Sequence, residues 1–208
     1  TGQADAQEMG ENVVISGGAI NEDLYVAGKR VHVISAVGGD VVAAGGRVVL
    51  SGPIEGDVLA VGGTVDVRGD VADDVRAAGG TVILDSRVGD QVAAAGGMVR
   101  ILPGALVVGK AWLAGGEVEI LGTLGKETRA AGGTVVVAGR VRGDLHVAAQ
   151  ELKILPGARI EGNLIYRSPR QAEISPDAQI AGSVTYKAVE MPERHGRLHV
   201  AGIFAAIF

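Results

Sequence analysis

Apolar and variable residues alternate along this chain in short runs that recur at a fixed spacing. Between Asp40 and Thr81 the unit D-V-x-A-A-G-G-x-V-x-V/L-x-G-x-V/I-x-G repeats every seventeen residues. The first Gly of each pair sets a register that runs through Gly28, Gly45, Gly62, Gly79, Gly96, Gly115, Gly132 and, as the last member, Ala149. Every step is seventeen residues except the nineteen from Gly96 to Gly115. Such a period is typical of a repeat protein.

Within each unit the apolar residues alternate with variable ones, which indicates β-strands of three to five residues. Helices are disfavoured, because each interior Gly would cost a helix about 1 kcal/mol. Three short strands per seventeen residues predict an all-β fold, a parallel β-helix solenoid of about ten coils. We expect a flexible leader at 1–11, the β-helix domain at 12–187, and a linker followed by an apolar segment at 188–208.

Five positions in each unit are predicted to point inward, as Val41, Ala43, Val48, Leu50 and Ile54 do in one of them. The longer coils carry their extra residues at a Pro-containing corner that recurs in the sequence at Pro103, Pro156 and Pro176. Pro presets the backbone of a turn, so these residues are expected to bulge outward without shifting the core register. Tyr166 and Tyr186 take an inward position in the last two coils.

The full repeat, GDVxAxGGxVxVxGxVxGD, resembles that of the bactofilins and bactofilin-like polymer-forming proteins over residues 12–186. The resemblance implies a right-handed, three-sided parallel β-helix that assembles end to end without a nucleotide. It also implies association with a membrane. An apolar C-terminal run makes the chain look more like membrane-anchored, extracytoplasmic relatives than like the short cytoplasmic members.

The composition of the chain argues against some classes of binding partner and metal site. The formal net charge is −5 and no basic stripe is available for phosphates, which argues against nucleic-acid binding. The chain has no cysteine, which excludes disulfides and thiolate metal sites. Aromatic residues make up only 3% of the chain, so the core is expected to consist of Val, Ile, Leu and Ala. No cofactor and no small-molecule substrate is predicted.

The two ends suggest a membrane location. The chain begins at Thr1 without a Met, which either signal-peptide cleavage or trimming explains. Residues 199–208 carry no formal charge, and their apolar members are predicted to lie at the membrane: Ile203, Phe204, Ile207 and Phe208. This run is the start of a transmembrane helix, an interfacial anchor or, alternatively, a cap on the solenoid. We expect the bacterial inner membrane, with the β-helix extracytoplasmic; the alternative is the cytoplasmic face.

The best candidate for site chemistry is the Asp series Asp23, Asp40, Asp57 and Asp74. Stacked carboxylates about 5 Å apart are a possible Ca²⁺ ladder. However, the same column continues through Gln91, Lys110 and Glu127. We therefore expect each Asp to accept a backbone hydrogen bond at its turn, and we predict no metal site. No Gly pair is followed by GK[ST], so the pairs are corners rather than phosphate loops.

No catalytic residue is predicted. By sequence spacing no histidine forms a close pair with a carboxylate, and His32 and His146 are expected at different corners. Hexapeptide acyltransferases are β-helices with a catalytic His, but their stricter six-residue repeat is not seen here. Lyase-type β-helix sites need long loops, which the sequence lacks.

One outward column offers a contact surface. Tyr25, Val42 and Leu59 stack near the N-terminal end of this column, and Trp112, the single Trp, lies further along it. Exposed apolar residues on a strand face can mark an interface. The sequence thus predicts a non-enzymatic, membrane-associated scaffold that self-assembles or presents repeated surfaces. The alternatives are an accessory subunit docked as a rod on a membrane protein complex and, third, a solenoid-based enzyme. Val14 and Leu164 are expected to be core residues of the end coils.

Overall fold

Parallel strands stacked coil upon coil build this protein. The computed structural model describes residues 7–189, and this part of the chain contains strands and turns but no helix. Numbered in chain order, the strands that follow one another in the larger sheet are β1 Gln7–Ile15, β2 Leu24–Val33, β3 Val41–Leu50, β4 Val58–Val67, β5 Val75–Leu84, β7 Val92–Ile101, β9 Ala111–Ile120, β11 Thr128–Val137, β13 Leu145–Ile154, β15 Leu164–Ser168 and β18 Val184–Ala188.

The short strands complete each coil. They are β6 Arg87–Val88, β8 Leu106–Val107, β10 Thr123–Leu124, β12 Arg140–Val141, β14 Arg159–Ile160, β16 Glu173–Ile174 and β17 Gln179–Ile180. All but β16 form a second parallel sheet, whereas β16 pairs with β13. In the N-terminal coils single bridges, such as Val37 with Ile54, occupy the same place.

The long strand of each coil bends at its Gly pair. In β3 the inward residues are Val41 and Ala43 before the pair and Val48 and Leu50 after it, so the inward phase shifts by one residue at the bend. We call the part before the pair, with the carboxylate corner that precedes it, the first side. The part after the pair is the second side, and the short strands lie on the third. The solenoid predicted from the period is therefore confirmed.

The core consists of columns of like residues. Leu24, Val41, Val58 and Val75 lie one above another and are at most 1% exposed. The predicted inward column of the third side is also buried, and it comprises Val37, Ile54, Val71, Val88, Val107, Leu124, Val141 and Ile160. Each coil buries its apolar residues against its neighbours, so stability is close to a sum over adjacent coils.

The Pro corners absorb extra residues as predicted. Ala105 N donates to Leu102 O at 2.9 Å, which closes a four-residue turn around Pro103. The core register continues across it, because Ala94 still pairs with Leu113 after a step of nineteen residues. The equivalent turn at Pro156 contains Gly157 at φ 83°, the conformation required at the third position of a type II turn.

The Gly column follows from how closely adjacent coils approach. A Cβ on Gly62 would lie 2.6 Å from the carbonyl oxygen of Gly45 in the preceding coil, and a Cβ on Gly96 would lie 2.6 Å from that of Gly79. Real Cβ atoms do not tolerate such a contact with backbone. The column ends at Ala149, which is fully buried, where the next coil no longer follows the bend.

The C-terminal end has aromatic packing that the rest of the core lacks. Tyr166 is 4% exposed and stacks on Tyr186 with ring centroids 5.0 Å apart. Tyr186 Oη donates to Ser168 O at 3.2 Å, and Ala172 N donates to Tyr166 Oη at 3.2 Å. The predicted inward placement of both tyrosines is confirmed, and their hydroxyls hold the loop that replaces the Gly corner.

The structure differs from two expectations, the extent of the leader and the number of coils. A strand lies in the second half of the leader predicted at 1–11, since β1 begins at Gln7 and Gln7–Gly10 pair with Tyr25–Gly28. These residues lack an apolar period, but the main-chain pairing that holds them needs none. Eleven strands stack in the larger sheet, one more than the ten coils expected. The predicted segment 188–208 lies outside the described residues from 190 onward.

Gly62→Ala is expected to lower the free energy of unfolding by about 1–3 kcal/mol, because the new methyl group must displace backbone of the adjacent coil. Urea denaturation followed by circular dichroism measures this. Gly18→Ala is the matched control, since nothing lies within 4 Å of its Cβ position. The control should leave stability unchanged or raise it slightly. Equal losses in both variants would contradict the close-approach explanation.

Candidate interaction surfaces

The aspartates at the corner before the first side form a hydrogen-bonded ladder. Asp40 N donates to Asp23 Oδ1 at 2.9 Å, Asp57 N to Asp40 Oδ1 at 2.8 Å, and Asp74 N to Asp57 Oδ1 at 3.1 Å. Gln91 N then donates to Asp74 Oδ1 at 2.9 Å. Each carboxylate thus accepts the backbone N–H of the next coil at its own column position, which confirms the turn role predicted for these residues.

The ladder resumes near the C-terminal end with a residue that the sequence did not single out. Asn163 N donates to Asp144 Oδ1 at 2.8 Å, and Ser183 N donates to Asn163 Oδ1 at 2.9 Å. Asn163 therefore accepts the same bond without a charge. Its position in the column, nineteen residues after Asp144, is the signal that identifies it.

One part of the ladder concentrates negative charge. Carboxylate oxygens of Asp57, Asp73 and Asp74 lie within 4.8 Å of one another. Desolvation, followed by repulsion from Asp57, Asp74 and neighbouring carboxylates, raises the pKa of Asp73 above its ordinary value. Arg76 offsets part of this charge, since its Nη1 lies 2.9 Å from Asp57 Oδ2 and its Nη2 2.6 Å from Asp74 Oδ2. The guanidinium occupies the position that a cation bridging these two carboxylates would take.

Acid-x-base pairs on one strand face are a feature that the sequence reading missed. Asp66 is only 2% exposed, and both its oxygens accept from Arg68, at 2.7–3.1 Å. This hydrogen bond, with the attraction to Asp66, raises the pKa of Arg68 above its ordinary value. The spacing recurs in Asp74 with Arg76, Glu127 with Arg129, and Glu151 with Lys153. Residues two apart on a strand share a face, so this spacing is a readable signal.

The histidines differ from expectation in one respect. His146 Nε2 lies 4.0 Å from Glu127 Oε1 in the preceding coil, so the expectation that no histidine lies near a carboxylate is wrong for His146. His32 is on the second side, where its Nε2 lies 3.0 Å from Ser51 Oγ. A base near a hydroxyl is one element of a nucleophile pair. An acid on the other ring nitrogen of His32 is not found among the described residues.

Most of the predicted contact column lies together. Tyr25, Val42 and Leu59 stack in register, and Tyr25 and Leu59 are 49% and 48% exposed. Two further residues enlarge this surface from the next outward column of the first side, Met9 at 74% and Val61 at 51% exposure. We call these five residues the apolar patch. Trp112 shares the column but lies three coils beyond Leu59, half-buried between Ala93 and Arg129, so it is separate from the patch.

Two open grooves run across strand faces. One, of about 220 Å³, is on the first side and is lined by Arg129, His146, Ile165 and Arg167, among others. The other, of about 370 Å³, is on the second side near the N-terminal end and is lined by Asn12, Val14, Arg30, His32 and Arg47, among others. Both are shallow surface features between strand side chains, and their linings mix charged and apolar groups.

The membrane expectations fall largely outside the described residues. Ile203, Phe204, Ile207 and Phe208 lie beyond residue 189 and have no structural description. Within the part of the chain that is described, no helix is both long enough and apolar enough to cross a bilayer.

Comparisons with known proteins return no relative. The chain matches no protein-family model, no curated protein and no solved structure.

The ladder can be tested at Asp144. Asp144→Ala should lower the free energy of unfolding by about 1 kcal/mol, because the amide N–H of Asn163 loses its acceptor. Asp144→Asn should retain most of the stability, since Asn163 already makes the equivalent bond to Ser183. Urea denaturation of the two variants measures the difference. If Asp144→Asn is as unstable as Asp144→Ala, the corner is stabilised by the charge of Asp144 and not by its acceptor oxygen.

Proposed function

We propose that this protein is a structural scaffold, a bactofilin-like β-helix rod whose C-terminal coil is an assembly face. The rod is about 50 Å long, from eleven strands spaced about 4.8 Å apart. Its described surface consists of short strands and tight turns, with open grooves between side chains of the strands. In this role the rod holds surfaces at fixed distances from one another.

Unequal exposure of the two ends carries this proposal. Near the C-terminus the inward residues Ile174 and Val184 are 38% and 48% exposed. Near the N-terminus the inward residues Val13, Ile15 and Ile20 are only 5%, 2% and 5% exposed. The last coil therefore presents apolar core residues together with the outer edges of β17 and β18, which have no further strand beside them in the described chain.

A second rod is the occupant that fits this end. Exposed strand edges pair with other strand edges, and an apolar core cross-section is best covered by another of the same outline. The resemblance of the repeat to polymer-forming proteins supports the same conclusion. We further propose that the apolar residues after 198 attach the rod to a membrane, with the β-helix on the extracytoplasmic side of a bacterial inner membrane.

Neither Val14 nor Leu164, the end-coil core residues predicted from the sequence, is the inward residue at an open end of the rod. Val14 is 57% exposed and pairs with His32 on the outer face, so it is not a core residue. The inward residue beside it is Val13. Leu164 is fully buried, but Val184 of the last coil covers it. Val184 is therefore the inward residue at the open end.

Val184→Arg is expected to abolish end-to-end assembly, because a charge would have to be buried at the junction. Thr185→Arg is the matched control, since it adds the same charge at the neighbouring position, which points outward. Electron microscopy and mass measurement should show particles longer than one rod for the native chain and for Thr185→Arg only. Assembly that persists in Val184→Arg, with the β-rich circular dichroism retained, would refute the C-terminal face.

An accessory subunit of a membrane complex is the second candidate, and the apolar patch favours it, because a stack of exposed apolar residues can hold a different protein. In that case the purified native chain should remain as single rods about 50 Å long at every concentration. The triple variant Tyr25→Ser, Leu59→Ser and Trp112→Ser should then lose the partner. Binding that survives the triple variant would exclude this column as the contact.

A further inference from the structure

Charge is divided unequally along the described rod. Residues 7–97 contain thirteen Asp and Glu against six Lys and Arg, whereas residues 98–189 contain eight against eleven. The core columns repeat without regard to this division, so it belongs to the surface alone. Opposite halves of two copies would attract each other, and equal halves would repel.

The division is sharpest on the first side. Between Glu22 and Gln91 it carries seven acids and the single base Arg76, the acids being Glu22, Asp23, Asp40, Asp57, Asp73, Asp74 and Asp90. Its C-terminal coils carry Glu127 and Asp144 against five bases, which are Lys110, Lys126, Arg129, Arg167 and Lys187. The change of sign falls near Ala93 of β7, the sixth of the eleven stacked strands.

From this pattern we infer that the first side is a self-association surface on which two copies lie side by side and antiparallel. The acidic half of each copy then faces the basic half of the other. A two-fold axis across β7 places equivalent columns opposite each other. Tyr25 of one copy lies against Ile165 of the second, and Leu59 lies against the apolar stem of Arg129, so these two members of the apolar patch are covered.

The size of this face suits a stable pair. A length of about 50 Å and a strand width of about 16 Å give roughly 800 Å² per copy. The pair would bury about 1,600 Å² in total, the usual size of a specific protein–protein interface. The second side is divided less sharply and in the opposite sense. Its N-terminal coils carry the bases Lys29, Arg30, Arg47 and Arg68 against Glu11 and Asp66, and its C-terminal coils carry Glu117, Glu119, Glu151 and Glu173 against Arg100 and Lys153.

The side-by-side contact is separate from the end-to-end contact, so each can fail alone. Val184→Arg removes the end contact and should leave discrete pairs. In this background, sedimentation equilibrium at about 50 mM salt should give the mass of a dimer, and about 0.5 M salt should give the monomer, because salt screens surface charges. A monomer at low salt would overturn the inference. If Val184→Arg does not stop end assembly, the cross-linking below is carried out within the assemblies.

Charge removal tests the surface without disturbing the ladder. Asp23→Asn, Asp40→Asn and Asp73→Asn together keep an acceptor oxygen at each ladder position, as Asn163 does naturally. Six acidic groups are lost per pair, so the dissociation constant should rise about tenfold or more. The control set Glu117→Gln, Glu151→Gln and Glu173→Gln removes equal charge from the second side and should change the dissociation constant less than threefold. Equal weakening by both sets would overturn the inference.

Cross-linking fixes the arrangement, because the chain has no cysteine of its own. Ala93→Cys places a thiol at the two-fold axis, where the facing copy presents the same thiol. Facing sheets lie about 10 Å apart, so a short bis-maleimide reagent is needed rather than a disulfide. Ala93→Cys alone should give covalent dimers, and Ile83→Cys on the second side should not. Cross-linking of Ile83→Cys in preference to Ala93→Cys would overturn the antiparallel first-side contact.

Discussion

Main-chain hydrogen bonding between successive coils is the constraint on which the whole molecule depends. It sets adjacent coils about 4.8 Å apart and places each residue directly over its equivalent seventeen to twenty positions earlier. This arrangement favours columns of apolar residues, because side chains of the same shape pack well on one another. Positions where the coils crowd must be glycine, as at Gly62, where the carbonyl oxygen of Gly45 leaves no room for a Cβ. Acidic columns would repel, and here each Asp is held by the N–H of the coil above it.

The same constraint explains what could be predicted from the sequence. Columns are periodic, so inward residues such as Val41 and Ile54, the Pro corners and the acceptor role of Asp40 followed from spacing. Diagonal neighbours do not follow so directly. The approach of His146 to Glu127 joins different columns of adjacent coils, and burial of Asp66 depends on the side chains around it. The start of strand β1 could not be predicted, because Gln7–Gly10 are held by main-chain pairing and show no alternation of apolar residues.

Departures from the repeat mark the places where this rod differs from a uniform fibre. Ala149 ends the Gly column where the next coil leaves the bend, and Tyr166 then stacks on Tyr186 in the last two coils. Asn163 takes over the acceptor role within the basic half of the first side, so the ladder continues without a carboxylate. The core columns therefore remain regular, whereas the side chains at the C-terminal end and on the first side depart from the repeat.

The proposed C-terminal assembly face and the proposed first-side contact are compatible with each other. If assembly proceeds through the exposed C-terminal coil, as proposed, a rod joins one neighbour by that end, which gives a double rod and no fibre. Two rods lying antiparallel place their open C-terminal coils at opposite poles of the pair. Each pole can then meet the pole of another pair, so growth continues in both directions although every chain has a single open end. In the proposed assembly, side-by-side pairing is thus the contact that would turn one assembly face into an extended scaffold.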